Sequence, residues 1–223
     1  MSAALLAPDF LGVQSLILYY ARKKLYHHVS VVATQALQKR ANDPAMLFWR
    51  AYATFKEGHM SDALRELDGL RARNGVQLPT LICLKQAHNA AKFPDREALQ
   101  QIDADIKREE GGKTEGSFFI AAQVCMLLGE HKRAREYLQR TFDIQANYPQ
   151  AKSLAGWIEL TCGSEVKAKK AIDLFKEAQA ANPADVDAAL GHAMYMELAK
   201  KDLREAVEVL TGHKFPKSTH VVT

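Results

Sequence analysis

A small or branched residue followed four positions later by an apolar partner returns along this chain at a near-constant interval. The six occurrences are Val29/Ala33, Ala63/Leu67, Ala98/Ile102, Ala134/Leu138, Ala171/Phe175 and Ala206/Leu210. Successive first members stand 34, 35, 36, 37 and 35 residues apart. The four-residue spacing puts both members on one face of a helix. A self-similar unit of this length buries its apolar face only against its neighbours, which dictates a linear array over a single closed core.

The details of the unit select the array. A period near 34 with an A-x3-F core and a later proline is the tetratricopeptide signature, and Ala171, Phe175 and Pro183 give one nearly complete copy. The spacing therefore predicts an all-α fold, a right-handed superhelical solenoid of about six tetratricopeptide-like helix pairs. It is expected over residues 1–213, with an irregular tail over 214–223. The expected pairs are Phe10–Arg22 with Tyr26–Arg40, then Ala45–Lys56 with Met60–Arg73. Asp43 and Pro44 form an opening cap, and Gly58 supplies a left-handed helix end. The third pair opens near Leu78 and turns at Phe93-Pro94-Asp95. The fourth, Glu115–Leu128 with Lys132–Gln145, turns on Gly129. The fifth opens at Pro149, with a turn lengthened by Ser164-Glu165-Val166, and the sixth is Asp187–Ala199 with Leu203–Thr211. Val207, Val209 and Leu210 are expected to lack a covering helix, which points first to a piece of a longer solenoid and otherwise to a partner seated there.

Within each pair the small residue lets two backbones cross closely, and Ala51, Ala122 and Gly156 offer the matching small surface. Side chains one place further on are expected to face the concave groove: Tyr52, Gln123 and Trp157, with Tyr195 in the last pair. Phe48, Tyr52 and Phe55 make an aromatic stripe at i, i+4 and i+7. Two readings follow for these rings. They are anchors for a partner helix or extended peptide, or they are packing between neighbouring pairs. Phe48, Tyr52, Gln123, Trp157 and Tyr195 are the candidate groove residues. Lys132, Arg133, Arg135, Lys167, Lys169 and Lys170 form a second candidate, a basic outer surface for an acidic partner.

Nothing in the residues assembles a reaction centre. No Cys or His pair has tight zinc spacing, and Gly111-Gly112 lacks the Lys-Ser/Thr of a phosphate loop. His59 and His131 are read as equivalent turn residues after Gly58 and Gly129. Glu109-Glu110 and Glu205/Glu208 are read as solvated carboxylates. No catalytic residue, cofactor or metal is expected, and no small-molecule substrate. The net charge of +4 is too small to demand a nucleic acid. The groove line Gln14, Leu18, Phe48, Tyr52, Gln123, Trp157 and Tyr195 carries no cation, which argues against clamping a C-terminal carboxylate. The three cysteines, Cys83, Cys125 and Cys162, fall on apolar stretches as buried reduced thiols, and with no signal peptide or membrane span this suggests the cytosol.

Ordered segments point further. Leu18-Tyr19-Tyr20, Tyr26-His27-His28-Val29, Asn42-Asp43-Pro44 with the Phe48-to-Tyr52 aromatics, Ala87-His88 and Asp95-Arg96-Glu97-Ala98 follow one another. Gly129 to Leu138, Gly156-Trp157 and Lys169-Lys170-Ala171-Ile172 complete the set. From about Ser15 to Leu210 this order resembles the start of the tetratricopeptide repeat protein 21 family. That resemblance implies a non-enzymatic scaffold of intraflagellar transport complex A, acting in the cytoplasm, the cilium and its base. Its implied partners are other protein subunits of a ciliary transport complex, in retrograde transport and cargo entry. The alternative is a stand-alone adaptor holding a peptide or helix in its groove. Met1–Pro8 and His213–Thr223 match nothing in the resemblance.

Overall fold

The computed structural model describes residues 8–91, 94–112, 115–148, 150–162, 165–200 and 203–212. Among them are twelve α-helices, one π-helical turn and no strand. In order the helices are α1 (Pro8–Arg22), α2 (Tyr26–Lys39), α3 (Pro44–Lys56), α4 (Met60–Asp68), α5 (Gln77–Ala90) and α6 (Arg96–Glu110). Then follow α7 (Glu115–Leu127), α8 (His131–Ile144), α9 (Ala151–Thr161), α10 (Glu165–Ala181), α11 (Val186–Tyr195) and α12 (Leu203–Gly212). They make the six expected pairs. The residues cluster into two compact units, Leu16–Ala146 and a second of Asn147–Thr223 with Met1–Ser15.

Local chemistry sets most boundaries. Asp43 caps α3 by accepting from the N–H of Ala45 at 3.0 Å and of Met46 at 3.2 Å, with Pro44 in the first turn. Asp95 caps α6 through Ala98 N–H, and Asp185 caps α11 through Ala188 N–H, each at 3.0 Å. Gly58 and Gly129 take φ of 88° and 80°, the left-handed ends that the sequence assigns them.

Beyond shifts of one or two residues at helix ends, four features differ from expectation. Helix α4 stops at Asp68 with Gly69 as its cap, five residues short of Arg73, and the chain continues in turns to Val76. Leu70 and Val76 are buried there, so that connection is packed and not merely a link. Helix α10 already begins at Glu165, which leaves no lengthened turn through Val166. After Tyr195 the last pair's first helix widens into a π-helical turn, Met196–Lys200. Glu130 caps α8, so it, and not His131, holds the place that His59 holds before α4. The expected features at Phe93, Pro149, Gly163-Ser164 and the tail from 214 lie outside the described residues.

The repeating pairs lie in the interior. Val29, Ala33, Ala63, Leu67, Ala134, Ala171 and Phe175 are fully buried, with Ile102, Leu138 and Ala206 nearly so. Ala98 and Leu210 are half-buried. In the unit Leu16–Ala146, every residue of α7 from Ser117 to Met126 is buried, because α5 lies on one side and α8 on the other. In the other unit, Phe175 on α10 is the key of the packing. A Cβ on Gly156 of α9 would come within 2.6 Å of its ring, and one on Gly191 of α11 would strike it too. These two glycines stand 35 residues apart, one period, so a single ring locks two successive pairs.

Candidate protein-interaction surfaces

The candidate groove residues sit inside the stack. Phe48 is fully buried, Tyr52 is 1% exposed, and Gln123, Trp157 and Tyr195 are 4–5% exposed. Tyr52 meets Trp49 edge-on at 5.5 Å between ring centres and Tyr26 at 6.3 Å. Burial lifts its hydroxyl well above the usual tyrosine range. The Trp157 indole N–H donates to the Asp187 carbonyl at 3.0 Å, and its ring meets Phe175 at 5.7 Å. Tyr195 belongs to the cluster of Ala193, Met196 and Ala206. Tyr52, Trp157 and Tyr195 join helices to one another, and none of the four rings is exposed to a partner.

The basic candidates divide. Lys132, Lys169 and Lys170 are exposed. Arg133 is committed internally: it donates to Glu130 Oε2 and to the Tyr137 hydroxyl, each at 2.8 Å, and its guanidinium lies 5.5 Å from the Tyr137 ring centre. Tyr137 in turn donates to Glu110 Oε1 at 2.7 Å, and Gln86 donates to Glu130 Oε1 at 2.8 Å. Arg140 donates to the Glu110 carbonyl. These bonds tie α5 and α6 to α8 across adjacent pairs. Glu110, expected on a solvated face, is thus half-buried and acts as a link. Arg135 is half-buried, and the Lys167 side chain lies outside the described residues.

A second tie joins pairs two and three. Arg71 donates to Asp105 Oδ2 at 3.0 Å, and Arg108 and Gln101 reach Asp105 Oδ1 at 3.0 and 3.1 Å. The carboxylate is 11% exposed, so its partners compensate real desolvation. Cys83 and Cys125 are buried and unbridged, and Cys162 is only half-buried. Burial pushes the Cys125 thiol up to about 12 and Cys83 higher still, which keeps both as inert thiols at neutral pH. Among the described residues no three metal-ligating side chains converge, and no helix is long and apolar enough to cross a membrane.

Two exposed features complete the surface. On and beside α12, Leu198, Leu203 and Val207 are 62%, 64% and 57% exposed, the most exposed large apolar side chains described. Val209 and Leu210, grouped with Val207 in the sequence, are half-buried. The other feature surrounds the turn between α1 and α2, where Lys23, Lys24, Leu25, His27 and His28 are exposed beside half-buried Tyr19, Tyr20 and Tyr26. It went unmarked in the sequence, although the signal was present: pair one lacks the turn glycine that pairs two and four carry.

Comparison with known proteins follows the same line. The family model described as "Tetratricopeptide repeat protein 21 N-terminal ARM repeat" matches residues 17–217. The chain is 35% identical over 191 residues to human tetratricopeptide repeat protein 21B, and 34% over 194 residues to human 21A. These matches cover 85% and 87% of the chain but 14% of each relative. A Caenorhabditis elegans homolog of the same name is 30% identical over 164 residues, 72% of the chain and 12% of the relative. Among solved structures, a thermophilic TPR protein in Thermus thermophilus aligns over 86% of the chain and 98% of its own, with TM-score 0.45 and 24% identity.

Proposed function

Because the chain belongs to the tetratricopeptide repeat protein 21 family, we propose that it is a non-enzymatic scaffold segment of intraflagellar transport complex A. It acts through protein–protein contacts, supporting retrograde ciliary transport and cargo entry from the cytoplasm and the ciliary base. The observation that carries this reading is the lock of Phe175 between Gly156 and Gly191. There the fifth helix pair is finished by the sixth, which is the property of stacked repeats and not of an enclosing site. The chain spans about one-seventh of the length of the human relatives it matches.

Contacts to other subunits are proposed on the outward cations Lys132, Lys169 and Lys170, which are free to meet an acidic surface. A stand-alone peptide adaptor is less well supported, because the rings it needs are buried. Tagging the endogenous protein, imaging it and sizing its assembly tests the reading. A ciliary pool that sediments in a large complex with other transport subunits is expected. A diffuse monomer that purifies only with a short peptide ligand contradicts it.

A further inference from the structure

The turn of the first helix pair departs from its counterparts. Pairs two and four turn on Gly58 and Gly129, both at positive φ. In pair one the same place, 34 residues before Gly58, holds Lys24 at φ 59°. A side chain there is strained where glycine is not. Strain of this kind persists where the site gains something else by it.

What surrounds Lys24 indicates the gain. Lys23 and Lys24 are exposed, and neither meets a carboxylate among the described residues. Exposed His27 and His28 follow on α2, and Lys56 adds a cation from the end of α3. The carboxylate that joins this group is Glu57, 3.7 Å from His27 Nδ1. The rings are continuous with the charges. Tyr19 meets Tyr20 edge-on at 5.5 Å, Tyr20 meets His28 at 5.0 Å, and Lys56 Nζ stands 5.7 Å from the Tyr26 ring centre. Leu25, 44% exposed, lies within the turn itself.

We propose that this patch docks an acidic protein segment that also carries an aromatic or bulky apolar side chain. The lysines and histidines receive its carboxylates, while Tyr19, Tyr20 and Leu25 receive the apolar side chain. A bare polyanion uses the cations alone and leaves the rings and Leu25 without a role, and competition by vesicles separates a membrane surface. The inference goes beyond the scaffold reading and does not depend on complex membership, because its test uses the isolated chain.

The test is fluorescence anisotropy of the full chain with a labelled Glu/Asp-rich peptide containing Phe. The competitors are the same peptide with Ser for Phe, poly-glutamate, and phosphatidylserine vesicles. Saturable binding of the Phe peptide is expected, about tenfold tighter than the Ser version, since an apolar anchor carries much of such contacts. Lys24→Gly should keep or raise the melting temperature, because it relieves the turn, yet weaken binding by about threefold or more. Lys23→Glu with Lys24→Glu should abolish binding, while Lys132→Glu leaves it unchanged. The inference is overturned if Lys24→Gly binds like the wild type or melts lower. It also fails if the Ser peptide, poly-glutamate or vesicles match the Phe peptide, or if no probe binds.

Discussion

The fifth and sixth helix pairs place equivalent residues in unequal surroundings. Phe175 and Leu210 stand 35 residues apart on successive second helices, α10 and α12. Phe175 is fully buried, its ring close against both Gly156 and Gly191. Leu210 is half-buried, and beside it Leu203 and Val207 face outward at 64% and 57% exposure. One period back from Val207, Ile172 is packed against the cluster of Ala193, Tyr195, Met196 and Ala206 in the pair that follows it. The fifth pair thus completes its core with the first helix of the sixth, and identical register yields different burial in the two pairs.

Substitutions can break this contrast. The largest effect is expected for Phe175→Ala, a loss of about 3–5 kcal/mol, because the void lies between two glycines that cannot fill it. Leu210→Ala should cost about 1–2 kcal/mol, in keeping with partial burial. Parallel chemical denaturation of the two variants checks this, and equal losses would erase the distinction between the pairs. Next come Gly156→Ala and Gly191→Ala, each expected to cost about 1–3 kcal/mol by overpacking the ring. Combining either with Phe175→Leu should return part of the loss. A simple sum of the two single effects would show that the glycines and the ring do not touch.

Much of this was legible in the sequence. The period located every small–apolar pair, and Asp43, Gly58 and Gly129 announced their caps through backbone chemistry that needs no tertiary contact. Depth was not legible. Periodicity names the face on which Tyr52, Trp157 and Tyr195 lie, but neighbouring helices decide whether that face is groove or core, and here it is core. The polar ties had no local signature either. Glu110 meets Tyr137 across 27 residues and Arg71 meets Asp105 across 34, so Glu110 read as solvated and Asp105 went unmarked. Lys24 is the reverse case. Its strained turn was visible as a missing glycine once the pairs were aligned on one another.

Smaller effects sharpen the comparison from the exposed side. Leu203→Lys with Val207→Lys should change stability by no more than about 0.5 kcal/mol while lowering self-association in analytical ultracentrifugation. A large loss of stability would place those side chains in a core. Least of all, pH should act through Asp185, the α11 cap that receives the Ser153 hydroxyl. Burial first, and Asp187 next, hold its carboxyl above the ordinary value of 3.8. The folded state therefore keeps that proton longer than the unfolded chain. Stability from this group is full below 3.8 and declines as pH rises through the folded value. Asp185→Asn keeps a capping acceptor and should flatten that decline in thermal melts taken across the acidic range; an unaltered slope would assign the titration elsewhere.

Hydrogen exchange of the native chain, read helix by helix, tests the stacking most directly. If burial between successive pairs protects a helix, the amides of α12, with Leu203 and Val207 outward, must open more readily than those of α10, although the two helices share register and sequence pattern. Exchange from α12 faster by about tenfold or more is the expected result. Equal protection in α10 and α12 would mean that the outward side chains of α12 cost that helix nothing, and the account of neighbour-completed pairs would be wrong.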